Sequence, residues 1–336
     1  MDGIPPVLQM LQSMSWTTFK NILINGYSEL RFPDTDNSKM LVDFIWYHAR
    51  ADPFIFVIRA SMVDKLWSII PVFYALHFTL HHWLYFTQDN GDAMPLNYRL
   101  VIAACLITMW GARLTYNFYR KGGYGMEYED HRWVVLQEKI PIGLWFIFNT
   151  TFICIFQNML LAAIVVPLYV VWRANLFNSV PLNIVDAAAT ALFLLGFFLE
   201  VKADQQQWAF HEQKRLAAEA KKRPDELTGD VKRGFLTHGL FKYSRHPNFF
   251  GEMSMWWAIY LFSVAAAYPH LTTEVLINPS IVGVIALTLL FQVSTTMTER
   301  LTSGKYASYK LYQKTTSRLI PLPAGTSLDK LEKKNA

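Results

Sequence analysis

The stretch Leu182-Asn-Ile-Val-Asp-Ala-Ala-Ala-Thr-Ala-Leu-Phe-Leu-Leu-Gly-Phe-Phe-Leu-Glu-Val201 decides the class of fold. It is mostly apolar, and its length matches the roughly 20 residues that a helix needs to cross the hydrocarbon core of a bilayer. We therefore predict a membrane-spanning helix at this place in the chain.

Five further stretches of similar character surround it, namely Trp67–Phe86, Leu100–Tyr119, Pro141–Trp172, Phe249–Pro269 and Ile281–Thr298. Only 17% of the 336 residues are charged, against about 25% in a typical soluble domain, and the charge is concentrated between these stretches. The third stretch is long for one pass, so it is expected to tilt, to kink at Pro167 or to continue along the interface. The sequence predicts an all-α fold, a polytopic transmembrane helical bundle of about six to seven spans.

The basic residues predict the orientation of this bundle. With the N-terminus in the cytosol, every Lys and Arg except Arg99, Arg113 and Arg173 faces the cytosol. The same asymmetry favours a single pass through Pro141–Trp172, because two passes would place the most basic loop outside. The formal charge of +5 then indicates affinity for anionic lipid headgroups, and nucleic-acid binding is not expected.

The chain divides into an N-terminal cytosolic or interfacial segment (1–60), a transmembrane domain (61–322) and a cytosolic tail (323–336). The tail ends Lys333-Lys334-Asn335-Ala336, the dilysine pattern of retrieval to the endoplasmic reticulum, with a solvated lysine pair as the alternative. Cys105 and Cys154 both fall within spans, so no disulfide framework is implied. We expect an integral membrane protein of the endoplasmic reticulum with both termini cytosolic.

The fourth span is predicted to continue as a helix into the cytosol, because the residues from Val201 to Lys222 are good helix formers. Helical spacing then places Asp204, Trp208, His211 and Arg215 on one face. An acid, a flat ring, an imidazole and a guanidinium in one row suit a nucleotide. The alternative is a solvated amphipathic helix with a packed tryptophan.

The stretch Gly239-Leu-Phe-Lys-Tyr-Ser-Arg-His-Pro-Asn-Phe-Phe-Gly-Glu252 joins the most basic loop to the fifth span. Arg245 carries a fork of donors suited to phosphate, His246 can donate, accept or titrate, and Asn248 can hydrogen-bond an amide in both directions. Glu252 lies one turn inside the membrane boundary, where a carboxylate needs a partner or a polar cavity. An interfacial Arg–His anchor with a snorkelling Glu is the alternative.

Arg113 lies inside the second span and shares a helical face with Asn117 and Arg120. A guanidinium at this depth needs an anionic partner, for which Glu252, Asp204 or a bound phosphate are the candidates. A purely structural ion pair is the alternative.

Three histidines, His77, His81 and His82, lie in the first span. His77 and His81 are one helical turn apart, but no carboxylate or cysteine in that span would complete a metal site. We expect them to line a polar substrate cavity, and we expect no metal.

Four motifs occur in the order typical of a known family: Trp110-x-x-Arg113-Leu114, Ala203-Asp204-x-Gln206, the Ser244-to-Glu252 block, and Lys305-Tyr306-x-x-Tyr309 leading to Ile320-Pro321. With them the chain resembles, over roughly residues 60–322, the membrane steroid-reductase (3-oxo-5-alpha-steroid 4-dehydrogenase-like) superfamily, and within it the DUF1295 group. The Arg-His-Pro-Asn block before Gly-Glu is the most specific of the four.

The resemblance implies a steroid 5α-reductase-like helical bundle that encloses NADPH beside a lipid-accessible cavity. It implies cofactor contacts by Arg113, Asp204, Arg245, His246, Asn248, Glu252 and Tyr306. Neighbours on the same helical faces add Asn117, Arg120 and His211 to the cofactor-binding candidates.

The sequence departs from the steroid 5α-reductases at the proton donor. Those enzymes look as though they place a tyrosine where this chain has Trp110, together with a glutamate on an earlier span, and the first span here has no glutamate. The catalytic candidates that remain are His81, Tyr85 and Tyr116, with His77 and His82 as further substitutes.

The expected function is therefore NADPH-dependent reduction of a carbon–carbon double bond in a membrane lipid or sterol-like substrate taken from the bilayer. Two alternatives stay open. Membrane methyltransferases of lipids or isoprenylcysteine also carry an Arg-His-Pro type turn followed by glycine, and a relative that kept the fold but lost the activity would only bind lipid.

Overall fold

A computed structural model describes residues 60–86, 96–125, 128, 131–177, 180–223 and 225–335. The predicted N-terminal segment therefore lies almost wholly outside the described residues, as do the side chains of His81, His82, Tyr85, Lys333 and Lys334. Within the described ranges the regular elements are helical and no strand forms, which confirms the all-α prediction.

The helices are, in chain order, α1 (Ala60–Leu66), α2 (Ile70–Phe86), α3 (Tyr98–Arg120), α4 (His131–Gln137), α5 (Ile142–Phe148), a π-helical segment (Asn149–Phe156), α6 (Gln157–Ala163), α7 (Val166–Phe177), α8 (Ile184–Glu219), α9 (Gly229–Arg233), a 3₁₀ turn (Gly239–Lys242), α10 (Pro247–Ala265), α11 (Thr273–Leu276), α12 (Ile281–Lys305), α13 (Tyr309–Thr315) and α14 (Leu328–Asn335).

Four helical stretches are long and apolar enough to cross a membrane: Tyr98–Arg120, Ile142–Asn175, Ile184–Glu219 and Ile281–Lys305. They coincide with the second, third, fourth and sixth predicted spans, so the membrane character of the chain is confirmed. The first and fifth predicted spans form α2 and α10, which are helices of 17 and 19 residues.

The stretch Ile142–Asn175 is continuous, as the single-pass prediction requires, but it is not a regular α-helix. Its π-helical segment follows α5, and a turn at residues 164–165 separates α6 from α7. Pro167 lies directly after that turn, in the first helical turn of α7, where its missing N–H costs least. The interruption lies next to Pro167, where one alternative predicted a kink.

The described residues fall into two compact units, one made of the chain up to Ala188 with Ile259–Ile285, the other of Ala189–Ala258 with Ala286–Ala336. In the first unit, Arg99 at the start of α3 makes a two-pronged ion pair with Asp186 in the first turn of α8, at 2.6 and 2.8 Å. Both side chains are buried. The arginine predicted for an outer loop is therefore an internal cation, balanced by an acid that also suits the helix N-terminus.

In the second unit, α8 and α10 cross at two glycines. A Cβ on Gly251 would lie 2.6 Å from the carbonyl oxygen of Gly196, and a Cβ on Gly196 would lie 2.8 Å from that of Gly251. Only glycine permits so close a backbone approach. The helix α8 runs for 36 residues, which confirms its predicted extension, and it ends at Glu219 rather than at Lys222.

The predicted cytosolic tail is docked on this second unit through α14. Leu328 packs with Phe235, Tyr309 and Tyr312. Beside this apolar contact, Arg233 donates to the carboxylates of Asp230, Asp329 and Glu332.

Candidate functional site

The Arg245-His246-Pro247-Asn248 block forms the joint between the 3₁₀ turn and α10. The 3₁₀ turn before the joint starts at Gly239, whose φ of +66° is one that glycine adopts readily. A Cβ there would lie 2.5 Å from the Gln206 side-chain oxygen, and the Leu240 N–H donates to that oxygen at 2.9 Å. Gln206, the last residue of the Ala-Asp-x-Gln motif, therefore anchors the turn to α8.

The segment after α13 holds the joint from its other side. The backbone N–H of Arg245 donates to the Ser317 carbonyl at 2.8 Å, and that of His246 donates to the Arg318 carbonyl at 3.2 Å. The Ser244 hydroxyl donates to the Leu319 carbonyl at 2.7 Å. Pro247 is the first residue of α10, a position that suits proline. The backbone contacts of the two residues before it therefore fix the point from which α10 starts.

A buried glutamate of α12, Glu299, contacts the side chains of both Arg245 and His246. Arg245 Nε and Nη2 donate to its two oxygens at 2.6 and 3.0 Å, and His246 Nε2 lies 3.0 Å from Oε1. Arg245 Nη1 donates to the carbonyls of Gln313 and Thr316. The guanidinium therefore has protein partners on all three nitrogens, and the pair has the fork geometry of strong charge-assisted hydrogen bonds.

Glu299 and Gln313 were not identified from the sequence. The sixth span was predicted to end at Thr298, directly before this acid. Two features of the sequence could have identified Glu299. A buried Arg245 needs a carboxylate partner, and Glu299 is an acid at the end of the apolar stretch Ile281–Thr298. The Gln313 amide also donates to Glu299, at 2.9 Å.

The site residues of α8 and α10 meet beyond the glycine crossing. Asn248 Nδ2 donates to Asp204 Oδ1 at 3.2 Å, and Asp204 is buried. Glu252, one turn further along α10, is buried and accepts a hydrogen bond from Trp256 Nε1 at 2.9 Å. The structure thus places two predicted cofactor residues, Asp204 and Asn248, in direct contact.

Glu200 is a further buried acid of this unit, one turn before Asp204 on α8. A Cβ on Gly251 would lie only 3.1 Å from the Glu200 Cβ, so the glutamate stem packs against the crossing point. Buried carboxylates accept hydrogen bonds and repel phosphates, so this part of the unit suits a ligand rich in hydroxyl and amide donors.

The residues predicted to share one face of α8 lie in different environments. Asp204 is buried, whereas His211 is exposed, and Arg215, with 53% of its side chain exposed, pairs with Glu212 and Glu219 of its own helix. Arg215 therefore matches the alternative of a solvated helix face.

Tyr306 lies directly after α12, and its ring covers Gly234, where a Cβ would lie 2.2 Å from Tyr306 Cε1. The φ of Gly234 is +89°, which also favours glycine. Its hydroxyl lies 3.3 Å from Lys214 Nζ. Burial raises the pKa of this tyrosine, but the hydrogen bond from Lys214 and the charges of Lys214 and Lys305 outweigh it, so the pKa lies below its usual value.

The remaining described site residues belong to the first unit. Arg120 Nε donates to Asn117 Oδ1 at 2.8 Å, which agrees with the predicted shared face, and Arg113 lies one turn before Asn117 on α3. Tyr116 is 63% exposed. The anionic partner predicted for Arg113 stays a prediction.

Fold and site together define a protein of membrane character whose described elements are helical, with buried acids and buried arginines. The chain belongs to the family described as "Protein of unknown function (DUF1295)", whose model matches residues 55–316. It is 36% identical over 293 residues to the uncharacterized protein C594.04c of Schizosaccharomyces pombe, an alignment that covers 86% of this chain and 80% of that protein. No solved structure matches. The predicted DUF1295 membership is thus confirmed.

Proposed function

We propose that this protein is an NADPH-dependent reductase of a carbon–carbon double bond in a membrane lipid or sterol-like substrate. The proposal includes a steroid-reductase-like bundle of six to seven spans, in the endoplasmic reticulum with cytosolic termini. The observation that carries it is the hydrogen bond from the half-buried Asn248 to the buried Asp204, near the buried Glu200 and Glu252. Burying polar groups at the ends of apolar helices is costly, so such groups usually mark a functional site.

The chemistry of these side chains fits the nicotinamide and ribose end of the cofactor. The Asn248 amide can donate and accept at once, which matches the carboxamide of nicotinamide. The carboxylates of Asp204 and Glu252 accept hydrogen bonds from hydroxyl groups. Arg245 and His246 are engaged by Glu299, so in this proposal they first position the turn that carries Asn248.

NADPH, when bound, supplies a hydride to the electron-poor carbon of the double bond and leaves as NADP⁺. The chain must then deliver one proton to the neighbouring carbon, which converts C=C into CH–CH. Where a conjugated carbonyl oxygen takes the proton first, the resulting enol must tautomerise: its carbon gains a proton and its oxygen loses one. His81, Tyr85 and Tyr116 are the proposed donors. Donors that polarise the carbonyl also stabilise the charge that develops there.

The test is nucleotide binding to the purified full chain in lipid nanodiscs, followed by NADPH oxidation with a panel of enone lipids. We expect Asn248→Ala and Asp204→Ala each to weaken NADPH binding about tenfold, because each removes a hydrogen-bonding group that the proposal assigns to the nicotinamide riboside. Glu226→Gln, which changes an exposed acid paired with Arg223, is the matched control.

The outcomes separate the alternatives. Binding of S-adenosylmethionine in place of NADPH would favour the methyltransferase. NADPH that is bound but never oxidised would favour a non-catalytic lipid-binding relative. Absence of NADPH binding would refute the proposed function.

A further inference from the structure

Two lysines converge on the hydroxyl of Tyr306. Lys214 Nζ lies 3.3 Å from the hydroxyl oxygen and 3.3 Å from the Gly234 carbonyl oxygen. The ammonium groups of Lys214 and Lys305 lie 5.7 and 5.4 Å from the centroid of the Tyr306 ring. Both ammonium groups therefore lie near one phenol, and an anion placed beside them would be stabilised.

Neither lysine has a carboxylate partner in the part of the chain that the structure describes. The buried arginines of this unit differ: Arg233 is paired with three acids and Arg245 with Glu299. The lysine pair therefore leaves positive charge uncompensated. The lowered pKa of Tyr306 is a second sign of this positive potential.

The Tyr306 side chain near the two lysines is held in place by packing. The Tyr306 ring lies over Gly234 and 5.9 Å from the ring of Phe235. Phe235 is buried and in turn contacts Tyr309 and Tyr312. A phenol fixed in this way donates a directed hydrogen bond, and together with the two ammonium groups it offers three donors to one anion.

The position of Lys214 along its helix favours a water-soluble anion over a lipid headgroup. Lys214 comes 30 residues after Ile184, the start of α8, which is about 45 Å along a helix, whereas a bilayer core is about 30 Å thick. Lys305 ends α12, 24 residues after Ile281, or about 36 Å along it. Lys214 therefore reaches well past the hydrocarbon.

We propose that Lys214, Lys305 and Tyr306 form a phosphomonoester site that takes the 2′-phosphate of NADPH and so selects NADPH over NADH. This inference rests on the proposed function. Asp204 and Lys214 are ten residues, or about 15 Å, apart on α8, a span that an extended dinucleotide covers. The carboxylate-rich end takes the nicotinamide riboside, and the lysine end takes the phosphate.

The experiment titrates NADPH and NADH against the full-length protein in phosphatidylcholine nanodiscs, comparing wild type with a Lys214→Gln/Lys305→Gln double variant. We expect the variant to lose about tenfold or more in NADPH affinity and less than about twofold in NADH affinity, because charged hydrogen bonds to the 2′-phosphate are lost. A Lys310→Gln/Lys330→Gln variant removes the same charge at exposed positions and is expected to keep the preference for NADPH.

A second arm adds phosphatidic acid, a lipid phosphomonoester, to the nanodiscs, and we expect it to leave NADPH binding unchanged. Competition by phosphatidic acid that the Lys214/Lys305 variant abolishes would assign the site to a lipid and overturn the inference. Equal affinity of the wild type for NADPH and NADH, or a double variant that keeps the preference, would overturn it while the reductase proposal stands. Binding of neither nucleotide would overturn both.

Discussion

Two groups of cations in the same unit, Arg245 at the joint and the Lys214–Lys305 pair at Tyr306, differ in what balances them. Arg245 is buried and shares Glu299 with His246. The two lysines share only a phenol. A buried arginine with a matched carboxylate holds a structure together, whereas cations without an internal anion remain available to a ligand. The difference assigns a structural role to Arg245 and a binding role to the lysines.

The largest expected effect comes from removing the acid that balances Arg245. Glu299→Ala leaves a buried guanidinium without its carboxylate, and we expect the free energy of unfolding to fall by about 3–5 kcal/mol. Unfolding of the detergent-solubilised protein by heat or denaturant measures this. The apolar pair Arg245→Met/Glu299→Leu should recover part of the loss, because it removes both charges together.

The control for this substitution is Glu226→Gln, at an exposed pair with Arg223 where the glutamate side chain is 45% exposed. Its expected cost is below about 1 kcal/mol. Equal losses of unfolding free energy in the Glu299 and Glu226 variants would show that the buried hydrogen-bond network does not stabilise the joint.

The next effect tests the helix crossing that supports the balanced cluster. Gly251→Ala places a Cβ 2.6 Å from the Gly196 carbonyl oxygen, and we expect a loss of about 1–3 kcal/mol from overpacking. Gly304→Ala on α12 meets no heavy atom within 4 Å, and it should stabilise by up to about 1 kcal/mol through helix propensity. The two melting curves should therefore shift in opposite directions.

A smaller effect is expected where a balanced cluster is partly exposed, at the docked tail. His238 Nδ1 lies 2.7 Å from Asp230, and Nε2 lies 3.4 Å from Asp329. The hydrogen bond to Asp230, opposed by partial burial and aided by the two charges, raises the pKa of His238. The pKa of Asp329 is lowered, because Arg233 donates a hydrogen bond to its carboxylate and the positive charge of Arg233 stabilises the ionised form.

The sign of the pH dependence follows from these directions. The His238 contribution is complete below its ordinary pKa of 6.5 and is lost as pH rises through the raised value. The Asp329 contribution is complete above 3.8 and is lost as pH falls through the lowered value. The side chains of His238 and Asp329 are both exposed. We therefore expect His238→Gln to lower the free energy of unfolding by about 1 kcal/mol or less at pH 5.5 and to leave it unchanged at pH 9. Melting temperatures of both proteins across pH measure this, and parallel curves would exclude the His238 contribution.

The smallest effect on stability is expected at the lysine pair. Lys214→Gln or Lys305→Gln removes no carboxylate ion pair, so the free energy of unfolding should stay within about 0.5 kcal/mol of wild type. A loss as large as that of Glu299→Ala would mean that the lysines are structural, which would end the contrast with Arg245.

Several site residues could be predicted because their signals are local. Asp204, Asn248 and Glu252 are polar residues at the ends of apolar stretches, and each is conspicuous without a fold. Glu299 was missed because its partner Arg245 is 54 residues away, and nothing in either local pattern states the pairing. Arg215 was overestimated because a shared helical face does not reveal that Glu212 and Glu219 already engage it.

The sequence by itself determined the helical class, the membrane character and the long extension of α8, because hydropathy and helix propensity act over one or two turns. Only the tertiary structure decided that α8 and α10 cross at Gly196 and Gly251, and that Lys214 and Lys305 meet at Tyr306. The physical reason is that charge balance depends on distance in space, and two side chains 91 residues apart become neighbours only when the helices have packed.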